Sequence, residues 1–261
     1  MRQCETVWSA SQGAAGSSFS TKKGRWLAAG LGLCALAAAR PAEAGLILRL
    51  DTGPSTIIVI DNLAGDLYPA VGQITSVGNI GDFSSTINVG QSNSPGTTFG
   101  MLQIQSLDIR NAGVGQRTLK VTLSDTGFTA PDDDFNPLQF SSSFGGTLTN
   151  AAAGDLVAFQ SFADPANAQP ATAVPSGLGA YGSAGGNITE SFNATNGTTF
   201  VRAASPYSLA SVTTITLSPS AQVSVSGTTV VDSSVVPEPA AVGSLVGVAL
   251  LGLARRRRTA R

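Results

Sequence analysis

Histidine is absent from this sequence, and charged residues make up only 12% of its 261 positions, about half the usual share. The missing histidine excludes a Ser-His-Asp or Cys-His nucleophile, an imidazole-ligated zinc ion and imidazole acid–base catalysis. Both cysteines, Cys4 and Cys34, and both tryptophans, Trp8 and Trp26, lie near the amino end. No disulfide framework is therefore expected beyond residue 45.

The first 44 residues have the order of a secretory signal peptide. A basic TKKGR segment precedes an apolar run over 26–39, and Ala42-Glu43-Ala44 follows. As a helix, the apolar run would reach about 21 Å, short of a bilayer core of about 30 Å. We predict cleavage after Ala44, with Ala42 and Ala44 as the small residues at the site. A buried helix with a basic cap is the alternative that the Ala-Glu-Ala ending disfavours.

The region between residues 45 and 235 is acidic. It contains thirteen acidic residues and five basic ones, so its net charge is about −8. The basic residues are Arg49, Arg110, Arg117, Lys120 and Arg202. Because nucleic-acid binding needs clustered lysine and arginine, a nucleic-acid partner is not expected.

The same region is predicted to be one all-β domain. Leu119, Val121 and Leu123 alternate with polar residues, the period of a half-buried strand. The apolar positions change parity between Leu102-x-Ile104 and Leu107-x-Ile109, which predicts a bulge. The continuous apolar run 57–60 predicts a strand that is covered on both faces.

Many short strands joined by Gly, Pro, Asn and Asp indicate an antiparallel β-sandwich, either jelly-roll or Ig-like. The predicted sandwich, residues 45–235, is flanked by the signal helix and by a carboxy-terminal transmembrane helix. Residues 165–186 are rich in Ala, Gly, Pro and Ser, and form either a long loop or a hinge between two halves. We favour the loop, and hence a single domain.

Residues 236–261 combine three features: the tripeptide Pro237-Glu238-Pro239, an uncharged run over 240–254, and four arginines, Arg255, Arg256, Arg257 and Arg258. The arginines are typical of a stop-transfer signal, because such charges stay on the cytoplasmic side of a span. The fifteen-residue run would reach about 22 Å as a helix, so it spans a bilayer only marginally. Together with the leader, it predicts an exported body and a cytoplasmic tail.

This tail resembles the PEP-CTERM sorting signal, which membrane-embedded exosortases recognise. The resemblance covers about 25 residues. It implies that Pro237, Glu238 and Pro239 are recognition residues and that the helix is a transient anchor. It also implies an exported protein of a bacterium that makes extracellular polysaccharide, retained at the outer surface or in the extracellular matrix after processing. A plain carboxy-terminal membrane anchor is the alternative.

Carboxylates carry the remaining chemistry. Asp132-Asp133-Asp134, after Pro131, could offer oxygen ligands to calcium, although the run lacks the frame of a dedicated calcium loop. Glu190 is the one glutamate of the acidic region, and a glycosidase-like pair formed across space stays open. The Gly-x-Gly-x-x-Gly match at 177–182 follows no apolar strand and so does not predict dinucleotide binding. No catalytic residue is assigned, and no cofactor other than calcium is expected.

Two functional hypotheses follow. The first is a non-enzymatic surface or matrix protein, delivered by the secretion machinery, sorted by an exosortase and associated with extracellular polysaccharide. The second is a secreted carbohydrate- or calcium-binding module that carries the same tail.

Overall fold

The computed structural model describes residues 45–132, 136–202 and 206–233. These residues form thirteen strands and no helix. The strands are β1 (Ile47–Asp51), β2 (Thr56–Ile60), β3 (Gln73–Ile80), β4 (Phe83–Ser92), β5 (Gly100–Asn111), β6 (Arg117–Phe128), β7 (Leu138–Thr149), β8 (Leu156–Asp164), β9 (Val174–Pro175), β10 (Gly179–Gly182), β11 (Thr189–Phe200), β12 (Tyr207–Leu217) and β13 (Gln222–Ser233). The predicted all-β class is confirmed, whereas the predicted signal and transmembrane helices lie outside the described residues.

The strands form two sheets in which every neighbouring pair is antiparallel. Sheet A has the order β10-β8-β12-β6-β1-β2, with β9 also paired to β8. Sheet B has the order β11-β7-β13-β5-β4-β3. The last two strands, β12 and β13, each lie inside a sheet, between strands that precede them in the chain by many residues.

The core lies between the two sheets. Phe144 of β7 stacks on Phe159 of β8, with ring centroids 5.6 Å apart, so the layers meet face to face. Leu119, Val121 and Leu123 are fully buried and Lys120 is exposed, as predicted, but the alternating polar residues Thr122 and Ser124 are buried as well. Other buried residues are Leu48, Leu50, Val157, Ile215 and Leu217 from sheet A, and Leu102, Ile104, Leu107, Ile109, Phe140, Leu148, Val223 and Val231 from sheet B.

The predicted bulge is present in β5. Ile104 lies opposite Gly227 and Leu107 lies opposite Val225, so three steps along β5 match two along β13. The extra residue changes the parity of the strand, and for this reason both the earlier and the later apolar positions of β5 face the core.

The prediction that residues 57–60 are covered on both faces is wrong. β2 lies at the edge of sheet A and pairs only with β1. Val59 faces the core and is 2% exposed, whereas Ile58 points outward and is 56% exposed. The run is apolar although no strand of the described residues forms a second layer over its outer face.

Two buried polar side chains fix the turn that carries the chain from β12 to β13. The carboxylate of Asp155 accepts hydrogen bonds from the backbone N–H and the hydroxyl of Ser218, both at 2.7 Å. The Asn111 side-chain amide donates to the carbonyl oxygen of Leu217 at 2.7 Å, and the Asn111 backbone N–H donates to Ala221 at 3.0 Å. Because Asn111 and Asp155 are fully buried, these bonds determine where the two central strands begin and end.

Gly146 of β7 lies close to the backbone of β13. A methyl group at this position would overlap the carbonyl oxygen of Ser224 and lie 2.9 Å from the Cα of Val225 and 3.0 Å from the ring of Phe192. Two of these three obstacles are backbone atoms of β13, so the clash cannot be relieved by a side-chain rotation.

We expect Gly146→Ala to lower the free energy of unfolding by about 2–3 kcal/mol, because the added carbon forces two strands apart. The matched control is Gly78→Ala in edge strand β3, where the added carbon meets nothing within 4 Å. That change is expected to stay within about 0.5 kcal/mol of wild type. Urea unfolding of the two variants measures both values, and equal effects would contradict the close approach of β7 and β13.

Candidate functional site

Most of the site residues predicted from the sequence lie outside the described residues. These are the cleavage residues Ala42 and Ala44, the tripeptide Pro237, Glu238 and Pro239, the arginines Arg255, Arg256, Arg257 and Arg258, and two of the calcium candidates, Asp133 and Asp134. Asp132 is described, and its side chain is exposed next to the buried Pro131.

In the described part of the chain, no helix is long and apolar enough to cross a membrane. Within the same residues, no group of three or more acidic, cysteine or histidine side chains is arranged to hold a metal ion. The calcium prediction at residues 132–134 is not tested by this result.

Carboxylates in the described residues mainly bind the chain's own backbone. In the loop between β2 and β3, Asp66 accepts hydrogen bonds from the N–H groups of Tyr68 at 2.9 Å and Thr75 at 3.0 Å. Asp61 of the same loop accepts the N–H of Gly72 at 2.7 Å. These aspartates close a loop and leave few oxygen lone pairs for a ligand.

Glu190 is buried at the start of β11 and binds two hydroxyl groups. Its carboxylate accepts from Tyr181 at 2.9 Å and from Ser183 at 3.0 Å. Tyr181 also stacks on Phe192, with centroids 5.2 Å apart. The bond to Glu190 raises the pKa of the Tyr181 hydroxyl, because it is stronger when the proton stays on the tyrosine. The arrangement joins β10 to β11.

The glycine-rich segment 177–182 has no phosphate-binding geometry. Its last four residues form β10, which pairs antiparallel with β8 from Gly179 opposite Phe159 to Gly182 opposite Leu156. A dinucleotide loop would instead open a helix after a strand. The glycines serve packing, since a methyl group on Gly179 would overlap the ring of Phe144.

Asp125 is a buried carboxylate whose ionisation is perturbed. It lies on β6, its residue is 2% exposed, and it accepts the backbone N–H of Thr126 at 2.7 Å. Burial raises its pKa to about 6, and the nearby Asp61 charge adds to the rise, while the bonds from Ser92 and Thr126 oppose it. Asp125 therefore exchanges a proton in the mildly acidic range.

A groove crosses the outer face of sheet A and is the best-formed candidate site among the described residues. We call it the sheet A groove. It consists of two adjoining cavities of about 230 and 250 Å³, which share Lys120, Phe162 and Val212. Strand pairing places Arg49, Thr122, Val212 and Gln160 in one row across β1, β6, β12 and β8. Four strands at about 4.8 Å spacing give the floor a length of about 14 Å.

The segment after β8 forms the wall of this groove. Gln169 donates its side-chain N–H to the carbonyl oxygens of Gly45 at 2.8 Å and Ser124 at 3.1 Å, which holds the segment over the sheet. Ala171 is 2% exposed as a result. Gln160 donates to the carbonyl oxygen of Ser176 at 3.1 Å and fixes the far end. The Ala-, Gly- and Pro-rich stretch 165–186, which we predicted to be a long loop, lies across sheet A and also contributes the short strands β9 and β10 to it.

The groove contains charges of both signs. Arg49 forms an ion pair with Asp51 at 2.7 Å, and Asp51 also accepts the N–H of Gly53 at 2.8 Å. The hydrogen bond from the Gly53 amide does most to hold the pKa of the Asp51 carboxyl below its usual range, and the bond from Arg49 comes second. The charge of Lys120, which lies opposite Asp51, also lowers this pKa. Among the described residues, the Lys120 ammonium has no hydrogen-bond partner, so it is available to a ligand.

This combination suits a polar chain with apolar faces. Lys120, Gln160 and Thr214 offer donors and acceptors, while Phe162, half-buried on the floor, offers an apolar ring. Sequence reasoning missed the groove because its residues come from four strands and a loop that are distant in the chain. The one available signal was that Arg49 and Lys120 are two of only five basic residues in the acidic region.

Comparisons with known proteins add little. The chain matches no protein-family profile and no curated protein. One solved structure that resembles it is the enzymatically active domain of tailspike protein 4 from bacteriophage CBA120. The two are 11% identical, the match covers 56% of this chain and 19% of that chain, and the TM-score is 0.26. The chain spans about a fifth of the length of that relative, and a likeness this remote carries no argument.

The raised pKa of Asp125 predicts a stability term that is present at acidic pH. Because the folded pKa of about 6 exceeds the unfolded value of 3.8, the contribution of Asp125 to the free energy of unfolding is fully present below pH 3.8. This contribution is lost as the pH rises through 6. The loss amounts to roughly 3 kcal/mol. We therefore expect Asp125→Asn to gain stability relative to wild type between pH 4 and pH 7 by about this amount.

Urea unfolding at the two pH values measures this difference. The matched control is Asp232→Asn, which removes an exposed carboxylate near the end of β13. A constant difference between Asp125→Asn and wild type across this range would show that Asp125 is ionised in the folded protein.

Proposed function

We propose that this protein is a non-enzymatic surface or extracellular-matrix protein, exported by the secretory route and sorted through a PEP-CTERM tail by an exosortase. The observation that carries the proposal is the position of the described strands. β1 begins three residues after the predicted cleavage at Ala44, and β13 ends four residues before Pro237. Every described strand therefore lies between the two predicted processing sites.

The core supports the same division. Its buried cluster runs from Leu46 to Val231 and includes residues of both sheets. Removal of residues 1–44 and of the tail after 235 would leave this cluster complete. A body of residues 45–235 thus has its own hydrophobic core, as a domain that functions after processing requires.

Strand order supports the jelly-roll form of the sandwich over the Ig-like form. β12 lies between β6 and β8 in sheet A, while β13 lies between β5 and β7 in sheet B. Successive strands β5 to β8 alternate between the sheets, which is the double Greek key of a jelly roll. The hairpins β1–β2 and β3–β4 extend the two sheets on one side.

We expect the mature protein to lack both ends, because signal peptidase and the exosortase remove them. Mass spectrometry of protein recovered from the exporting cells should find an amino terminus at residue 45 and no peptide from 240–261. Glu238→Ala should leave the tail attached and the protein in the membrane fraction. Asp232→Ala, six residues upstream, should be processed normally. Mature protein that ends at Arg261 would falsify the sorting proposal.

The sheet A groove favours a second candidate function, the binding of extracellular polysaccharide. Sugar rings present hydroxyl groups at their edges and C–H groups on their faces, which the polar side chains and the Phe162 ring of the groove complement. Calcium binding at Asp132, Asp133 and Asp134 stays a separate prediction for the loop after β6.

If the groove binds polysaccharide, a soluble glycan should raise the melting temperature of residues 45–235, since it binds only the folded state. We expect the effect with alginate or dextran to be lost in Phe162→Ala combined with Lys120→Ala. The matched control is Arg110→Ala, which removes an exposed cation from the outer face of sheet B. A titration with calcium alone, with and without Asp132→Asn, separates the calcium prediction from the glycan effect.

A further inference from the structure

Exposed apolar side chains are concentrated at one side of the sandwich. Thirteen large hydrophobic residues are exposed in the described part of the chain, and seven of them fall within residues 57–77. The loop between β2 and β3 contributes Leu63, Leu67, Tyr68 and Val71. The flanking strands contribute Ile57 and Ile58 from β2 and Val77 from β3. We call these seven residues the apolar edge. A concentration of this kind marks an interaction surface.

The backbone of β2 is open along this edge. The N–H of Asp61 donates to the carbonyl oxygen of Leu46 at 3.0 Å, which identifies the hydrogen-bonded pairs of the β1–β2 ladder. Because such pairs alternate with non-bonded pairs, the N–H and C=O groups of Val59 and Ile57 point toward β1. The N–H and C=O groups of Thr56, Ile58 and Ile60 point away from it. Of these, only the carbonyl of Ile60 has a hydrogen-bond partner among residues 45–132, 136–202 and 206–233: it accepts the N–H of Leu63 at 3.0 Å.

The other sheet edges are less accessible or less apolar. Thr75 of β3 is covered by the preceding loop, since its carbonyl oxygen accepts the N–H of Leu67 at 2.8 Å and its N–H reaches Asp66. β10 is four residues long and β11 is dominated by Thr, Asn and Ser. By contrast, all five residues of β2 are β-branched and uncharged, without the lysine or proline that usually protects an edge strand.

The charge distribution permits a second copy of the same chain to bind at this edge. The body carries a net charge of about −8, so two copies repel each other over most of their surface. In the apolar edge, the two nearby aspartates turn inward, where Asp61 binds the Gly72 amide and Asp66 binds those of Tyr68 and Thr75. A second acidic copy can therefore approach here without placing like charges opposite each other.

We propose that β2 pairs with β2 of a second copy, antiparallel and about a two-fold axis at Ile58. In this register Ile58 faces its own counterpart and the two exchange both N–H to carbonyl bonds. Thr56 faces Ile60 of the partner copy, so the remaining outward backbone groups also meet. Ser55 lies opposite Asp61, and no aspartate faces another. The two A sheets become one continuous sheet.

Sedimentation equilibrium of residues 45–235 tests the pairing. Wild type is expected to dimerise over micromolar to millimolar concentrations, and Ile58→Lys to weaken the dimer by at least about tenfold. Ile58→Pro should do the same, because it removes an N–H that points to the partner and none that bonds β1. The matched control is Val114→Lys, which changes another exposed apolar residue, 97% exposed, and should dimerise as wild type does.

Circular dichroism establishes that each variant is folded, and hydrogen exchange supplies a second measurement. The Ile58 amide should be protected in the wild-type dimer and exchange rapidly on dilution, whatever the fate of the tail. A wild type that stays monomeric at every concentration overturns the proposal. So does a dimer that Ile58→Lys and Ile58→Pro leave unchanged.

Discussion

The fold depends on placing its last two strands at the centre of both sheets. β12 and β13 pair on each side with strands formed much earlier in the chain, so neither sheet closes until residues 207–233 are in place. The turn between them is held by the buried Asp155 and Asn111, which leaves no freedom in where the strands begin. Such long-range pairing makes folding slow and cooperative. It also means that a protease can act on the tail only after Ser233 without removing part of β13, a central strand of sheet B.

The polar side chains that hold the fold together are therefore different from those that are available to partners. The carboxylates of Asp61, Asp66, Asp155 and Glu190 all accept bonds from loops or hydroxyl groups of the same chain. They keep a protein with few charges and no disulfide in the body correctly connected at its corners. The groups available to partners lie on the outer face of sheet A and at its β2 edge, where neither strand pairing nor core packing uses them.

The sequence predicted the strands better than it predicted their positions in the two sheets. The alternation at Leu119–Leu123 and the bulge of β5 followed from local periodicity, which directly reports which face of a strand is buried. The environment of the run 57–60 was predicted wrongly, because an apolar edge strand and a strand covered on both faces have the same local pattern. The sheet A groove and the buried Asp125 depend on strands brought together from distant positions, and no spacing in the chain encodes that contact. The predicted sorting tail is a linear motif, so that prediction rests on local sequence alone.

The β1–β2 hairpin links the two surface features. β1 supplies Arg49 and Asp51 to one end of the groove, and β2 supplies the open edge. Residues directly opposite in an antiparallel pair point to the same face, so pairing at Ile58 would put the outer faces of both A sheets on one side. Only three strand spacings, about 14 Å, then separate β1 from β1 of the partner copy. A polysaccharide long enough to cross that distance would contact both grooves, and the second contact would gain from the high effective concentration set by the first. Weak binding at each groove is therefore compatible with firm retention in a matrix.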